Sequence, residues 1–211
     1  MQGRDARRSV AWLFVVLVWV GFAMTELPAQ ASPAEAFRAG RAAKGSSARR
    51  AHFQAGIDEA RALLTANDRD PEGLFWLAVN MGAEALERGK MSALPVVPKM
   101  ERLLLKLDTL DPKYEDGGAA RVLGRLYHQA PAVISVGSST NAKKFLERAL
   151  QLAPNHPGNQ AFAADFLLEK GDTERAKKLA AACLQTLKAE GGKYGDEGKE
   201  WRKLAEDVLD D

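Results

Sequence analysis

Three segments of this chain end in the same way: an amphipathic helical pattern runs into a proline and stops. The prolines are Pro71, Pro112 and Pro154, so the second follows the first by 41 residues and the third follows the second by 42. The residue before a proline avoids the α region, which ends the helix, and the fixed φ of proline suits the first turn of the next helix. A recurring unit of this kind predicts stacked helical hairpins and an all-α fold.

Small residues recur where the second helix of a hairpin must approach its neighbours. Two sets share one spacing: Ala142, Leu146 and Ala149, and Ala176, Ala180 and Cys183. The first helix of the third unit carries Leu-Gly-Arg-Leu-Tyr at 123–127. Tetratricopeptide repeats share these features in about 34 residues, and the extra length here falls in two enlarged turns, 89–95 and 131–140. The sequence therefore predicts tetratricopeptide-like helical hairpins in a compact α-solenoid.

We predict eight helices in a repeat domain that spans residues 48–211. Their ranges are 48–67, 72–88, 97–110, 117–129, 141–153, 158–170, 173–189 and 196–209. Residues 32–47 are rich in alanine, glycine and serine, which predicts a linker, with a short helix as the alternative. The last helix is amphipathic and is expected to cap the exposed end of the array.

The N-terminus, residues 1–31, has the three parts of a secretory signal. Arg4, Arg7 and Arg8 precede an uncharged run over 10–24. At 1.5 Å per residue this run spans roughly 22 Å, less than the roughly 30 Å of a hydrocarbon core. Ala29-Gln30-Ala31 offers a cleavage site, so we predict a periplasmic protein that starts at Ser32; an uncleaved membrane anchor is the alternative. No cysteine near the cleavage site supplies a lipid attachment point.

Composition argues against several function classes. The net charge is +2, from 30 basic and 28 acidic residues, which is too balanced to indicate nucleic-acid binding. The three histidines are scattered and lack metal-ligand spacing, so we expect no metal. Cys183 occupies a small repeat position rather than a reactive setting, and no nucleotide or dinucleotide motif is present. We therefore expect a non-enzymatic protein without a cofactor.

One predicted helix carries a basic stripe. Arg121, Arg125 and His128 are spaced at i, i+4 and i+7, so they share a face. Such a stripe on the concave surface could grip a carboxylate of a ligand or partner; a solvated helix face is the alternative. Tyr114, Gly117 and Gly118 precede this helix, where free N–H groups could receive an acidic ligand group, unless the glycines serve only a tight turn.

Apolar residues in the first hairpin and in the second enlarged turn are further candidates. Trp76 could line a pocket, although a core position is the commoner role, and Asn80, one turn later, could bond a ligand or the helix itself. Ile134 lies in the unusually apolar turn 131–140, which could line a ligand hole, form a subunit interface or fold onto its own core.

The ordered set of these motifs resembles the T component of tetratricopeptide-associated TRAP transporters. The match rests on Asp-Pro-x-Tyr-x-x-Gly-Gly at 111–118, Leu-Gly-Arg-Leu-Tyr at 123–127 and the long turn that follows. The resemblance implies a periplasmic repeat protein that forms a homo-trimer and meets the transporter's substrate-binding protein. It also implies a ligand-accommodating hole through each subunit, and we expect the ligand to be a small hydrophobic molecule or a carboxylate. The family is commonly lipid-anchored, and this chain lacks the cysteine for it. A generic scaffold for protein–protein interaction in the cell envelope is the alternative function.

Overall fold

The computed structural model describes residues 31–132, 134–190 and 192–211. These residues form ten helices and no strand. The helices are α1 (Pro33–Ala42), α2 (Ser46–Ala66), α3 (Pro71–Glu87), α4 (Lys90–Ala93), α5 (Val97–Leu110), α6 (Gly118–Gln129), α7 (Ser139–Leu152), α8 (Pro157–Glu169), α9 (Thr173–Ala189) and α10 (Gly195–Asp210). All eight predicted helices are present, and each end lies within two residues of its prediction. The prediction of an all-α helical-repeat fold is confirmed.

Helix α1 lies within residues 32–47, where the structure shows the short helix that was the alternative to a plain linker. Ser32 caps this helix by accepting a hydrogen bond from the N–H of Glu35, whose carboxylate accepts in return from the N–H of Ser32. Phe37 is buried, with its ring centroid 5.7 Å from that of Phe53 and 5.4 Å from that of Trp76. The glycine that suggested a linker allows this packing, because a Cβ on Gly40 would lie 2.5 Å from the Phe53 ring.

Consecutive long helices are antiparallel. The Tyr127 hydroxyl, late in α6, donates to the Glu101 carboxylate, early in α5, over 2.6 Å. The backbone carbonyl of Tyr127 also accepts from the N–H of Ser138, just before α7, over 2.9 Å. The turns between successive helices therefore alternate between the two ends of the helical array. We call the end with turns 67–70, 111–117 and 153–156 the proline end, and the end with turns 88–96, 130–138 and 170–172 the enlarged-turn end.

The small repeat positions are where the helices come closest. Ala142, Ala149, Ala176, Ala180 and Cys183 are all completely buried. Burial raises the pKa of the Cys183 thiol to about 12, so this cysteine is an inert packing group at neutral pH. The first and last helices of the array also meet, because Arg41 of α1 forms an ion pair of 2.7 Å with Glu200 of α10.

Residues 1–30, which hold nearly all of the predicted signal, lie outside the described residues, as does Val133 of the second enlarged turn. The signal therefore stays a prediction. In the part of the chain that the structure describes, no helix combines the length and apolar character needed to cross a membrane.

Candidate functional site

The turn before α6 adopts an unusual backbone. Glu115, Asp116 and Gly117 have φ values of 50°, 55° and 77°, so three successive residues lie in the left-handed region. Residues other than glycine are uncommon there, and such conformations cost about 1–3 kcal/mol each unless the surroundings enforce them. The predicted need for glycine is met at Gly117, and Gly118 allows close packing, because a Cβ there would lie 2.8 Å from the Phe75 ring.

Arg121 and Asn159 hold this turn in place. Nη1 of Arg121 donates to the carbonyls of Glu115 (3.1 Å) and Asp116 (3.5 Å) and to Oδ1 of Asn159 (3.2 Å). Nδ2 of Asn159 donates to the carbonyls of Ala149, Ala153 and Asp116 over 2.9–3.2 Å. Arg121 is only 6% exposed, and burial lowers the pKa of its guanidinium while the nearby Glu197 carboxylate acts in the opposite direction. The buried guanidinium of Arg121 thus stabilises the strained turn by donating hydrogen bonds to neutral carbonyl and amide oxygens.

An aromatic cluster adjoins Arg121 on α8 and α10. The rings of His156, Tyr194 and Trp201 are mutually edge-to-face, with centroids 5.2–5.3 Å apart. Gly158 lets this cluster approach Arg121, because a Cβ at Gly158 would lie 2.8 Å from the Trp201 ring and 3.1 Å from Cδ of Arg121. No motif marks these residues or Asn159 as site candidates in the sequence, where the only local signal is a turn after Pro154.

His156 makes the stability of the fold sensitive to acid. Its Nδ1 accepts a hydrogen bond from the N–H of Gly158 at the start of α8. Burial, followed by the charges of Arg121 and Lys193, lowers the pKa of His156 to about 3. The unfolded chain takes up this proton near pH 6.5 and the native chain does not. Stability from this group is therefore complete above pH 6.5 and is lost as the pH falls from there towards 3.

We expect His156→Asn to reduce this acid sensitivity while keeping a side chain that caps α8. Between pH 7 and pH 5 the unfolding free energy of the wild type should fall by about 2 kcal/mol more than that of the variant. Urea denaturation at both pH values measures the difference. Parallel losses in the two proteins would contradict a buried neutral His156.

The other two members of the predicted basic stripe have acidic partners on α8. Arg125 pairs with Asp165, and its guanidinium lies 4.9 Å from the centroid of the Phe162 ring. Nε2 of His128 lies 2.6 Å from Oε2 of Glu169, and its Nδ1 lies 3.6 Å from Asp165. The stripe does share one face of α6, as predicted, but that face meets α8. A role of these two side chains in ligand binding remains a prediction.

Trp76 and Asn80 lie inside the first hairpin. The Trp76 ring is 4% exposed and packs edge-to-face on Phe75 at 4.9 Å. Asn80 is fully buried, and its Nδ2 donates to the carbonyls of Pro33 (3.1 Å) and Trp76 (2.8 Å). These hydrogen bonds therefore join α1 to α3. Tyr114 is half-buried against Phe75, and burial raises the pKa of its hydroxyl, although a hydrogen bond with Trp76 opposes the shift.

Ile134 lies apart from these residues, at the enlarged-turn end, where it is 63% exposed. It thus does not fold back onto its own core. Leu86 (59% exposed) and Met91 (74% exposed) are at the same end, beside the first enlarged turn. Both enlarged turns therefore present apolar side chains to solvent at one end of the array.

Two surface features include residues of α7, and neither is lined by a predicted site residue. The more enclosed one has a volume of only about 10 Å³, and the other is an open groove of about 430 Å³ lined by polar and charged residues such as Lys144 and Gln151. Among the described residues no group of three His, Cys, Asp or Glu side chains is placed to hold a metal ion.

Comparison with known proteins adds one finding. The family described as the TRAP transporter T-component matches residues 35–190, well over half of the chain. The match starts in α1 and ends after α9, so it includes the strained turn, Arg121 and both enlarged turns. No curated protein matches this chain.

Proposed function

Because the chain belongs to the TRAP transporter T-component family, we propose that it is a non-enzymatic accessory component of a TRAP-type transporter that binds the transporter's substrate-binding protein. The predicted N-terminal signal would deliver it to the periplasm, where that partner resides. The observation that carries the proposal is the family match over residues 35–190. A small hydrophobic or carboxylate ligand, bound near Arg121, is part of the same proposal.

The enlarged-turn end is the surface we assign to the partner. Leu86, Met91 and Ile134 are large apolar side chains that remain more than half exposed there. Exposed apolar side chains that gather at one end of a molecule are typical of protein-interaction sites. Repeat proteins commonly bind through such extended surfaces, since each repeat adds its own turn to them.

Biolayer interferometry between this chain and the TRAP substrate-binding protein of the same genome tests the proposal. We expect saturable binding, and we expect Met91→Asp with Ile134→Asp to weaken it at least about tenfold, because a charge would be buried in an apolar contact. Leu105→Asp is the matched control, since Leu105 is a partly exposed leucine on α5, away from that end. It should leave the affinity unchanged.

Absence of binding to that protein would favour the alternative, a scaffold that serves other envelope proteins. Equal weakening by Leu105→Asp would argue against the enlarged-turn end as the binding surface. The homo-trimer implied by the family is also a proposal. Mass photometry of the purified chain tests it, and a monomer at every concentration would exclude the trimer.

A further inference from the structure

Three exposed cations, Arg102, Lys144 and Lys178, occupy one repeat position on the second helices of successive hairpins. Each lies two residues after a buried residue that starts an i, i+4, i+7 series of buried contacts in its helix. These buried residues are Met100, Ala142 and Ala176. Two residues turn an α-helix by about 200°, so the three cations point away from the buried side. We call them, together with the exposed Lys143, the outer basic row.

The acidic residues closest to this row are paired with other cations. Arg148 of α7 forms an ion pair of 2.8 Å with Asp108 of α5, and Arg175 of α9 lies 3.9 Å from Glu147 of α7. These two contacts also place α7 between α5 and α9 on the outer side of the array. No member of the outer basic row forms an ion pair with a described residue.

Charge is separated between the two sets of helices. The second helices α5, α7 and α9 contain ten Lys and Arg residues but only four Asp and Glu residues. The first helices α3, α6 and α8, together with α10, contain five basic and eleven acidic residues. The net charge of +2 for the whole chain therefore conceals one positive side.

Helix stability does not account for where these cations lie. Basic residues are favoured in the last turn of a helix, yet the last turns of α5 and α7 contain none. Arg102 and Lys144 lie instead in the first half of their helices, and each has another cation four residues later, Lys106 and Arg148. Like charges at this spacing are destabilising. A positive surface maintained at this cost indicates an anionic partner outside the molecule.

The chemistry of the row favours a bilayer over a protein as that partner. Three of its four members are lysines, which are compact charges on flexible stems and need no fixed partner geometry. The groove beside Lys143 and Lys144 is open, and on α5, α7 and α9 Leu105, at 38%, is the one large apolar side chain that is more than a third exposed. Protein interfaces instead centre on aromatic, Met and Arg residues and are depleted of Lys.

We propose that the outer basic row holds the protein against the surface of a bilayer that contains anionic phospholipids. Clustered Lys and Arg side chains are attracted by the negative potential of such a surface. The inference goes beyond the proposed function, because it gives the accessory a position and an orientation at the membrane. The row lies on the side of the array, whereas Met91 and Ile134, which we assign to the protein partner, lie in the enlarged turns at one end.

Co-sedimentation of the full-length chain with vesicles tests the proposal. One set of vesicles is phosphatidylcholine alone, and the other is an equimolar mixture of phosphatidylcholine and phosphatidylglycerol. At low salt we expect at least about thirtyfold tighter partitioning onto the anionic vesicles, since each cation near such a surface contributes about fivefold. In about 1 M salt, where the screening length is about 3 Å, this preference should largely disappear. Equal partitioning onto both vesicles, or a preference that salt leaves unchanged, would overturn the proposal.

Two double variants with the same change in net charge locate the surface. Lys144→Gln with Lys178→Gln removes two members of the row and should weaken partitioning onto anionic vesicles at least about tenfold. Lys199→Gln with Lys203→Gln removes two exposed lysines of α10, which pair with Asp196 and Asp207. This control should change partitioning by less than about twofold. The N-terminal segment is the same in all these proteins, so its own affinity for vesicles does not affect the comparison.

Equal weakening by the two double variants would show that total charge matters rather than the row, and would overturn the assignment. Biolayer interferometry of the same variants tests the other kind of partner. If the vesicles show no preference and Lys144→Gln with Lys178→Gln weakens binding to the substrate-binding protein, the row binds an acidic protein surface and the membrane proposal fails. The vesicle experiment contains no protein partner, so the membrane proposal and the transporter role can each fail alone.

Discussion

Leu146→Ala is expected to lower the free energy of unfolding by about 2–5 kcal/mol, as deletion of a core leucine does. Leu146 is 2% exposed and lies on the side of α7 that packs against α6. The contact is unusually close, because a Cβ on Gly124 would lie 2.6 Å from Cγ of Leu146 and 3.0 Å from its backbone nitrogen. The backbone of α6 can move little to fill the cavity, so the loss should fall towards the upper part of the range. Urea denaturation measures it.

Gly124→Ala provides the control for this explanation. In the wild type the added methyl group should destabilise by about 1–3 kcal/mol, because it overpacks the α6–α7 contact. In the Leu146→Ala background it enters the cavity, so it should cost less or restore part of the loss. Strictly additive effects would show that the two positions do not meet, and the assigned register of α6 on α7 would then be wrong.

The helices could be predicted because their limits are encoded locally. Pro71, Pro112 and Pro154 each fix a boundary within a few residues, and the small residues at the hairpin contacts are needed wherever backbones approach closely. Helix α1 could be predicted only as an alternative, for a related reason. Gly40 and the alanines around it resemble a flexible linker in composition, and only the fold shows that the ring of Phe53 occupies the space left by the missing Cβ.

The candidate site was predictable only in part. Spacing alone placed Arg121, Arg125 and His128 on one face of α6, and the structure agrees with that geometry. What the face meets depends on the packing of the next repeat, since Asp165 lies 40 residues after Arg125. The position of Glu197 near Arg121 could not be predicted from the sequence for the same reason. In an amphipathic tail helix its carboxylate resembles any solvated charge, and only the approach of α10 to α8 brings it to Arg121.

Asn159→Leu should destabilise the fold by about 3–5 kcal/mol, because one buried side chain joins a buried cation to three backbone carbonyls. Asn159 is completely buried, its amide donates to one carbonyl of α7 and to one in each of two turns, and its oxygen accepts from the Arg121 guanidinium. Leucine fills a similar volume but removes one donor from each carbonyl and one acceptor from the cation. The carbonyls of Ala149 and Ala153 keep the N–H groups of Ala153 and His156, and that of Asp116 keeps Arg121. The strained conformation of Glu115 and Asp116 then loses one of its two restraints.

Asn80→Leu is the matched control, since Asn80 is also a completely buried asparagine on the first helix of a hairpin. Its amide serves only two carbonyls, and its oxygen has no partner among the described residues. The loss should therefore be smaller, about 1–3 kcal/mol. Chemical denaturation of both variants compares the two losses. Equal losses would mean that Asn159 acts by filling space rather than by joining Arg121 to the turn, and the turn would then have to be held by Arg121 alone.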